Sequence, residues 1–272
     1  MPKRVQSPSS INLYKQCPRK YYYQYILKLP TFPNIYTLRG NIVHSVLEKF
    51  FEIDPLTLDS SNHRQELAGY ISNVFDAYWK KNSSELLEYS GSESRKTEFY
   101  EESRTMIANW LNDFFNRLAK KLINNDFVSA FREITPTELE GSYSSEEYMV
   151  RGFIDVIDTQ DGIVNVVDYK TSKPKETISK DYRLQLAIYA LLYKEKHGKL
   201  PDKASIWFLR THQVSIDVTE ELVKEAEFEI EQIHFSTETS EICDYPCKTS
   251  PLCKWRNGQC NFYDRCIKER DL

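Results

Sequence analysis

The stretch VRGFIDVIDTQDGIVNVVDYK, Val150 to Lys170, constrains the fold more than any other part of the chain. It holds two runs rich in β-branched residues, Met149 to Asp158 and Ile163 to Lys170, separated by Thr159-Gln160-Asp161-Gly162. Asp-Gly between such runs is the chemistry of a tight hairpin, because both loop residues of a type I′ turn need positive φ. With Asp161 and Gly162 as the loop, Gln160 faces Ile163, and counting outward places Asp155 opposite Asp168. Side chains directly across a sheet lie about 5 Å apart at Cβ, so two facing carboxylates repel and cost stability unless a positive charge compensates them. A divalent cation supplies that charge. Lys170 lies two residues beyond Asp168, on the same face of its strand, which sets an ammonium beside the carboxylates. Taken alone, Asp168-Tyr169-Lys170 also fits a plain edge-strand charge pair.

Around the hairpin the pattern is α/β. Ser7-Pro8-Ser9-Ser10 is a cap cluster, with Ser7 or Ser10 starting a helix over Ile11 to Leu27 that Pro18 breaks or kinks after Cys17. The aromatic run Tyr21, Tyr22, Tyr23 and Tyr25 fits core packing or a base-stacking platform. A second helix, Leu38 to Phe51, carries Gly40, His44, Leu47 and Glu48 on one face. His63 to Lys81 and Glu101 to Asn124 show apolar residues at helical period, and the serine-rich segment Asn82 to Glu98 reads as a mobile loop. From Ile134 the period changes to two, so ITPTELEGSYSS reads as a strand feeding the hairpin, with Glu138 or Glu140 near its site-facing end. Thr177 to Tyr193 is a helix on which Gln185 and Tyr189 share a side. Strands at Ala204 to Arg210 and Val214 to Val218 and a helix at Thr219 to Phe235 follow. This order belongs to a mixed sheet with helices on its faces. The parts are a helical cover over 1–133, a core over 134–236 and a Cys-rich tail over 237–272, expected to form one unit.

Composition narrows the function classes. The 272 residues are 40% hydrophobic and 28% charged, enough for a sizeable core, and none of the apolar runs approaches the roughly 18 residues that cross a bilayer. The opening MPKRVQSPSS has no apolar run of signal type, so a cytoplasmic protein with no membrane partner is expected. A net charge of −4 excludes nucleic-acid binding through overall charge and confines it to a local patch. Lys3, Arg4, Lys15, Arg19, Lys20 and Lys28, in a segment without acidic residues, form one candidate patch or an ordinary solvated basic surface.

The blocks GFIDVID and VVDYKTSK resemble the active-site signature of the PD-(D/E)XK nuclease superfamily, with Asp168 where many members have Glu. Gly40-x-x-x-His44 ahead of the hairpin and Gln185-x-x-x-Tyr189 after it resemble the RecB-type branch. The resemblance runs from Ser7 through Cys266, leaving 82–98 unmatched. It implies a restriction-endonuclease-like α/β fold: a mixed central sheet flanked by helices, an N-terminal helical cover and a Cys-rich C-terminal clip. It further implies His44, Asp155 and Asp168 as ligands of Mg²⁺ or Mn²⁺, with the Tyr169 carbonyl as a further ligand and Glu48 nearby; an imidazole tilts the preference toward Mn²⁺. Lys170 would orient water or neutralise a nonbridging oxygen, and Gln185 and Tyr189 would position the strand.

Cys17 stands alone near the start, whereas Cys243, Cys247, Cys253, Cys260 and Cys266 crowd the last stretch. Clustered Cys without a secretory segment points to metal binding over disulfides, and spacing alone leaves zinc and iron-sulfur open. Cys253 and Cys260-x5-Cys266 with Cys17 resemble the iron-sulfur staple of RecB-like nucleases in bacterial helicase-nucleases and CRISPR adaptation, which implies a [4Fe-4S] cluster. Here KWRNGQ separates Cys253 from Cys260 where two residues are common, and Cys243 or Cys247 can replace a ligand. Closing so long a loop constrains the unfolded chain, and cluster binding then counts as folding energy. The resulting expectation is a metal-dependent DNA nuclease, more specifically an exonuclease, acting on DNA with a helicase or CRISPR adaptation proteins. A catalytically silent DNA-binding or scaffold module is the alternative, and a zinc-dependent regulator a third.

Overall fold

The computed structural model describes residues 4–174, 177–255 and 258–269; Lys3 of the basic run and Arg256 and Asn257 of the Cys253 to Cys260 insertion lie outside them. The first expected helix is divided. α1 (Pro8–Gln16) starts from Ser7, whose side chain caps Ser10 N–H while the Ser10 hydroxyl bonds back. Cys17 is extended (φ −160°, ψ 105°), and α2 (Pro18–Tyr21) then runs into a π-helical turn, Tyr22–Ile26. Proline has no N–H for the preceding turn and disfavours helical backbone just before it, so the thiol sits at the break.

α3 (Ile35–Phe50) is capped by Asn34, whose side chain accepts from the Tyr36 and Thr37 N–H groups. α4 (His63–Lys81), α5 (Ser83–Ser90), α6 (Glu93–Lys121) and α7 (Phe127–Ile134) follow. The expected loop at 82–98 is therefore mostly helical. Ser92 caps the Arg95 N–H at 3.3 Å, Gly91 closes α5 at φ 78°, and Leu86 is fully buried. Serine favours helix ends for the reason that it weakens helix interiors, so a serine-rich count mistook two helices meeting at a cap for a loop. Ile134 likewise ends α7 instead of opening a strand.

β1 (Glu138–Ser145), β2 (Val150–Gln160) and β3 (Ile163–Lys170) form an antiparallel run in which Gln160 faces Ile163, and both turn residues take positive φ, Asp161 at 52° and Gly162 at 83°. α8 (Lys180–His197) provides the crossover that the parallel pairing of β3 with β4 (Lys203–Phe208) needs. β5 (Gln213–Asp217) completes a mixed five-stranded sheet in the order β1-β2-β3-β4-β5, and α9 (Glu220–Ser236) lies beside α8. Helices cover both faces. On one face, Val156, Val167 and Tyr169 share a core with α3, α4, α6 and α7; on the other, Ile154, Val164 and Val166 pack with α8 and α9.

The tail docks on the N-terminal segment. β6 (Lys254–Trp255) and β7 (Gly258–Gln259) make a small hairpin before α10 (Tyr263–Lys268). Tyr21, Tyr22 and Tyr23 are buried against Tyr245, Phe262, Cys260 and Cys266, so these rings serve packing and not base stacking. Arg19 is also buried, and it donates to the carbonyls of Tyr245 (2.8 Å) and Glu269 (2.7 Å). Lys15 pairs with Glu229 at 2.6 Å, and Arg4 lies over the Tyr25 ring. The expected basic patch is thus largely spent on internal contacts. Among the described residues no helix is long and apolar enough to cross a membrane.

Candidate active site

Three carboxylates stand in one transverse row of the sheet. Leu139 pairs with Val156 and Gly141 with Ile154, so Glu140 lies across from Asp155; Val156 pairs with Val167, so Asp168 lies across from Asp155 on the other side. Backbone pairing is interrupted on that row. Glu140 has a φ of 47°, a left-handed conformation that costs a non-glycine residue on the order of 1–2 kcal/mol. Asp155 substitutes its side chain for the ladder, its Oδ2 accepting the Tyr169 N–H at 2.7 Å.

Both β1 and β2 change face at the interruption. Ile154 and Ile157 belong to the core on the α8 side while Val156 belongs to the other, and Leu139 and Tyr143 fall in opposite cores. Strict alternation would put Ile154 and Ile157 on opposite faces and Leu139 and Tyr143 on the same one. The acidic row therefore sits at the fork between two packed layers, reached by α3 from one side and α8 from the other.

From α3, His44 brings Nδ1 to 3.5 Å from Asp155 Oδ1 and 3.9 Å from Glu140 Oε1. Its ring stands edge-on to Tyr169, whose hydroxyl accepts from the fully buried Trp110 at 3.0 Å. From α8, Gln185 Nε2 donates to Asp168 Oδ1 (2.8 Å) and to the Tyr189 hydroxyl (2.9 Å). Gly152 leaves the space that Tyr189 fills, since a Cβ there would stand 3.0 Å from Tyr189 Cε1 and 3.3 Å from Leu192 Cδ1. Lys170 Nζ is 2.6 Å from Asp168 Oδ2, an ion pair on this buried oxygen.

The charges are strained against one another. Burial first, and then the Asp155 charge, push the Glu140 carboxyl up to about 7. Burial likewise raises Asp168, with Lys170 opposing and Asp155 adding to the rise. Burial pulls His44 and Lys170 down, but the neighbouring carboxylates outweigh it and raise both. The ligand atoms of His44, Glu140 and Asp155 all lie within 4.8 Å of one another. That trio, with the Asp168 carboxylate alongside, fits a hard divalent cation, for which oxygen donors with an imidazole are suitable.

The structure thus brings His44, Asp155, Asp168, Tyr169, Lys170, Gln185 and Tyr189 to one place. It also chooses between the two glutamates: Glu138 is taken by the Tyr143 hydroxyl and Lys196, whereas Glu140 joins His44 and Asp155. Glu48 adds a repulsive charge to Glu140 without entering the trio. A left-handed residue inside a strand leaves no mark that one sequence reveals.

The thiols are gathered less tightly. Cys247 Sγ lies 3.2 Å from Cys266 Sγ, and burial, Cys247 and then Cys17 raise the Cys266 thiol. Lys254 pairs with Gln259 and Trp255 with Gly258, Cys260 N–H donates to the Cys253 carbonyl at 2.9 Å, and Ser250 N–H points to Cys253 Sγ at 3.4 Å. Cys243 is exposed, its Sγ 4.0 Å from Asp244 Oδ1. The donor set suits a soft metal centre. Among the described residues, however, no three thiols come as close together as the His44 trio.

The chain matches the family model described as the PD-(D/E)XK nuclease superfamily over residues 6–267. Two proteins from strains of Clostridium perfringens, each named as a subunit of an ATP-dependent helicase/deoxyribonuclease, are 28% and 27% identical over 200 residues. The aligned region is 67% of this chain but 17% of each relative, so the chain spans a small part of their length. A crystal structure from Eubacterium rectale, described provisionally as an exonuclease, has a TM-score of 0.50 over 99% of this chain and 89% of that one at 14% identity, a likeness of fold.

Proposed function

This chain belongs to the PD-(D/E)XK nuclease superfamily, and from that premise we propose that it is a Mg²⁺- or Mn²⁺-dependent deoxyribonuclease, an exonuclease carrying a structural [4Fe-4S] cluster. The observation that carries the catalytic part is the acidic row itself: a buried Asp168 and half-buried Asp155 and Glu140 held together at the fork of the sheet, with Lys170 against one of them and His44 against another.

Asp155, Asp168, Glu140 and His44 would hold the cation, with the Tyr169 carbonyl as a further donor. A bound divalent ion lowers the pKa of water and stabilises the negative charge that builds on a phosphate under attack. Lys170 opposes the rise that burial imposes on Asp168 and sets an ammonium beside the place that a nonbridging oxygen or the attacking water would take. Gln185 fixes Asp168 and the Tyr189 hydroxyl together, and so orients the floor on which the strand lies. Hydrolysis adds the water oxygen to phosphorus, breaks the ester bond, and leaves the departing oxygen protonated.

Cys17, Cys253, Cys260 and Cys266 are the proposed cluster ligands, with Cys247 as the substitute favoured by its approach to Cys266. The relatives' name joins a helicase to a deoxyribonuclease, which makes a helicase the first partner to test, with CRISPR adaptation proteins second. The deciding assay follows DNA labelled at either end, single- and double-stranded, with anaerobically purified protein. Degradation that starts at an end, needs Mg²⁺ or Mn²⁺, and disappears in Asp168→Ala supports the reading. Metal-independent cleavage, or an Asp168→Ala protein that cuts at the wild-type rate, would overturn it.

A further inference from the structure

Beside the acidic row, a cleft of about 460 Å³ opens between the start of α3, the first turns of α6 and the segment after β3. Its walls include Tyr36, Arg39, Arg95, Phe99, Lys173 and Arg210. Chain connectivity ties it to the proposed catalytic groups: Arg39 lies five residues before His44 on α3, Ser172 and Lys173 follow Lys170 closely, and both Arg39 and Arg210 donate to the Thr171 carbonyl. Resting on the nuclease reading above, we infer that this cleft is a nucleotide subsite that grips single-stranded DNA next to the scissile phosphate, with a base on Tyr36 and its phosphate between Arg95 and Lys173.

The floor of the cleft is built and charged. Arg39 is 2% exposed, donates to Glu102 (2.7 Å) and to the Thr171 carbonyl (3.0 Å), and keeps an Nε without a partner. Arg210 reaches the same two acceptors, at 2.6 Å and 3.3 Å. One glutamate is thus shared by two guanidiniums, which leaves the floor positive. At the rim, Arg95 and Lys173 are exposed, and among the described residues neither has a carboxylate within ion-pairing distance. Glu98 is the remaining acidic wall. Four cations against two carboxylates make this a local positive site on a chain whose net charge is −4.

The aromatic wall selects for a base. Tyr36 is 59% exposed, yet its ring is fixed edge-on to Phe99 at 5.5 Å, and the Arg39 guanidinium approaches both rings. A held, exposed ring above buried positive charge is the arrangement that stacks bases without reading their sequence. The volume sets the strand number. It falls within the roughly 300–1,000 Å³ of pockets that take small ligands, the size of a single splayed nucleotide and not of stacked base pairs.

The test measures binding apart from cleavage. A fluorescent single-stranded oligonucleotide is titrated in EDTA, where no cation is available for hydrolysis. Tyr36→Ala is expected to weaken binding about tenfold or more, as loss of one stacked base does, while Tyr36→Phe binds like wild type. The Arg95→Ala/Lys173→Ala double variant is expected to weaken binding and flatten its salt dependence by about one or two counterions. With metal restored, Tyr36→Ala is expected to raise KM with kcat retained. Wild-type binding of single strands that is unchanged in both the Tyr36→Ala and the double variant overturns the subsite and leaves the nuclease reading standing. A wild-type protein that binds and cuts no DNA at all overturns that reading, and this one with it.

Discussion

The acidic row and the Cys-rich tail pose the same physical problem and meet it differently. Each gathers groups that repel one another when ionised: carboxylates in one, thiols in the other. In the row the gathering is complete, because three paired strands and two helices fix every donor, down to a left-handed Glu140 and a Gly152 that admits Tyr189. In the tail, buried tyrosines and Arg19, which donates to the Tyr245 and Glu269 carbonyls, hold the segment in place, while among the described residues no three thiols draw as close as the donors of the row. A site embedded in a sheet is preorganised whether or not its ion is present. A site made by docking one segment against another takes part of its order from what it binds.

The largest effect that would break this contrast lies in the row. Lys170→Ala and Asp155→Asn are expected to lower cleavage by at least about 10²- to 10³-fold, as loss of one charge-stabilising group does, with circular dichroism and melting temperature close to wild type. Unfolding of either variant would show that the row is structural. In the tail the balance reverses. Cys266→Ser is expected to lose bound iron and visible absorbance, lower the melting temperature by several degrees, and expose the tail to protease, whereas Cys243→Ser does none of these. Equal behaviour of the two variants would remove the distinction drawn between these thiols.

Within the row, Glu140→Gln is expected to weaken Mg²⁺ or Mn²⁺ binding about 10- to 100-fold, and Glu138→Gln to leave it unchanged, as measured by metal titration. The smallest effect is on pH dependence. The Glu140 carboxyl is raised from 4.5 to about 7, so its contribution to metal-free stability is present below the unfolded value and lost as pH rises through 7. A melting temperature that falls by a few degrees over that window without metal, and a cation-induced rise larger at about pH 8 than at about pH 5.5, are expected. A metal effect independent of pH would separate the ion from the raised carboxylate.

Much of this was legible beforehand because it rests on local rules. Asp-Gly specified the turn and, with it, the register from Gln160 and Ile163 inward. Pro18 specified the break at Cys17. The spacings of Gly40 to His44 and Gln185 to Tyr189 placed each pair on one helical face. Legibility failed where serines could mean a loop or a cap, at 82–98, and where the strand start at Ile134 depended on the end of a preceding helix. It failed also at the cleft of Tyr36 and Arg39, because a wall made from α3, α6 and the segment after β3 has no spacing in sequence.

The sequence alone determined which residues could share a strand, a turn or a helical face, since those follow from fixed repeats of the backbone. Tertiary structure alone decided that Glu140, not Glu138, stands with His44 and Asp155, that Cys247 lies against Cys266, and that a buried arginine underlies an exposed tyrosine. Those outcomes depend on where two layers of side chains part around a kinked sheet, a property of packing between elements that no single element carries.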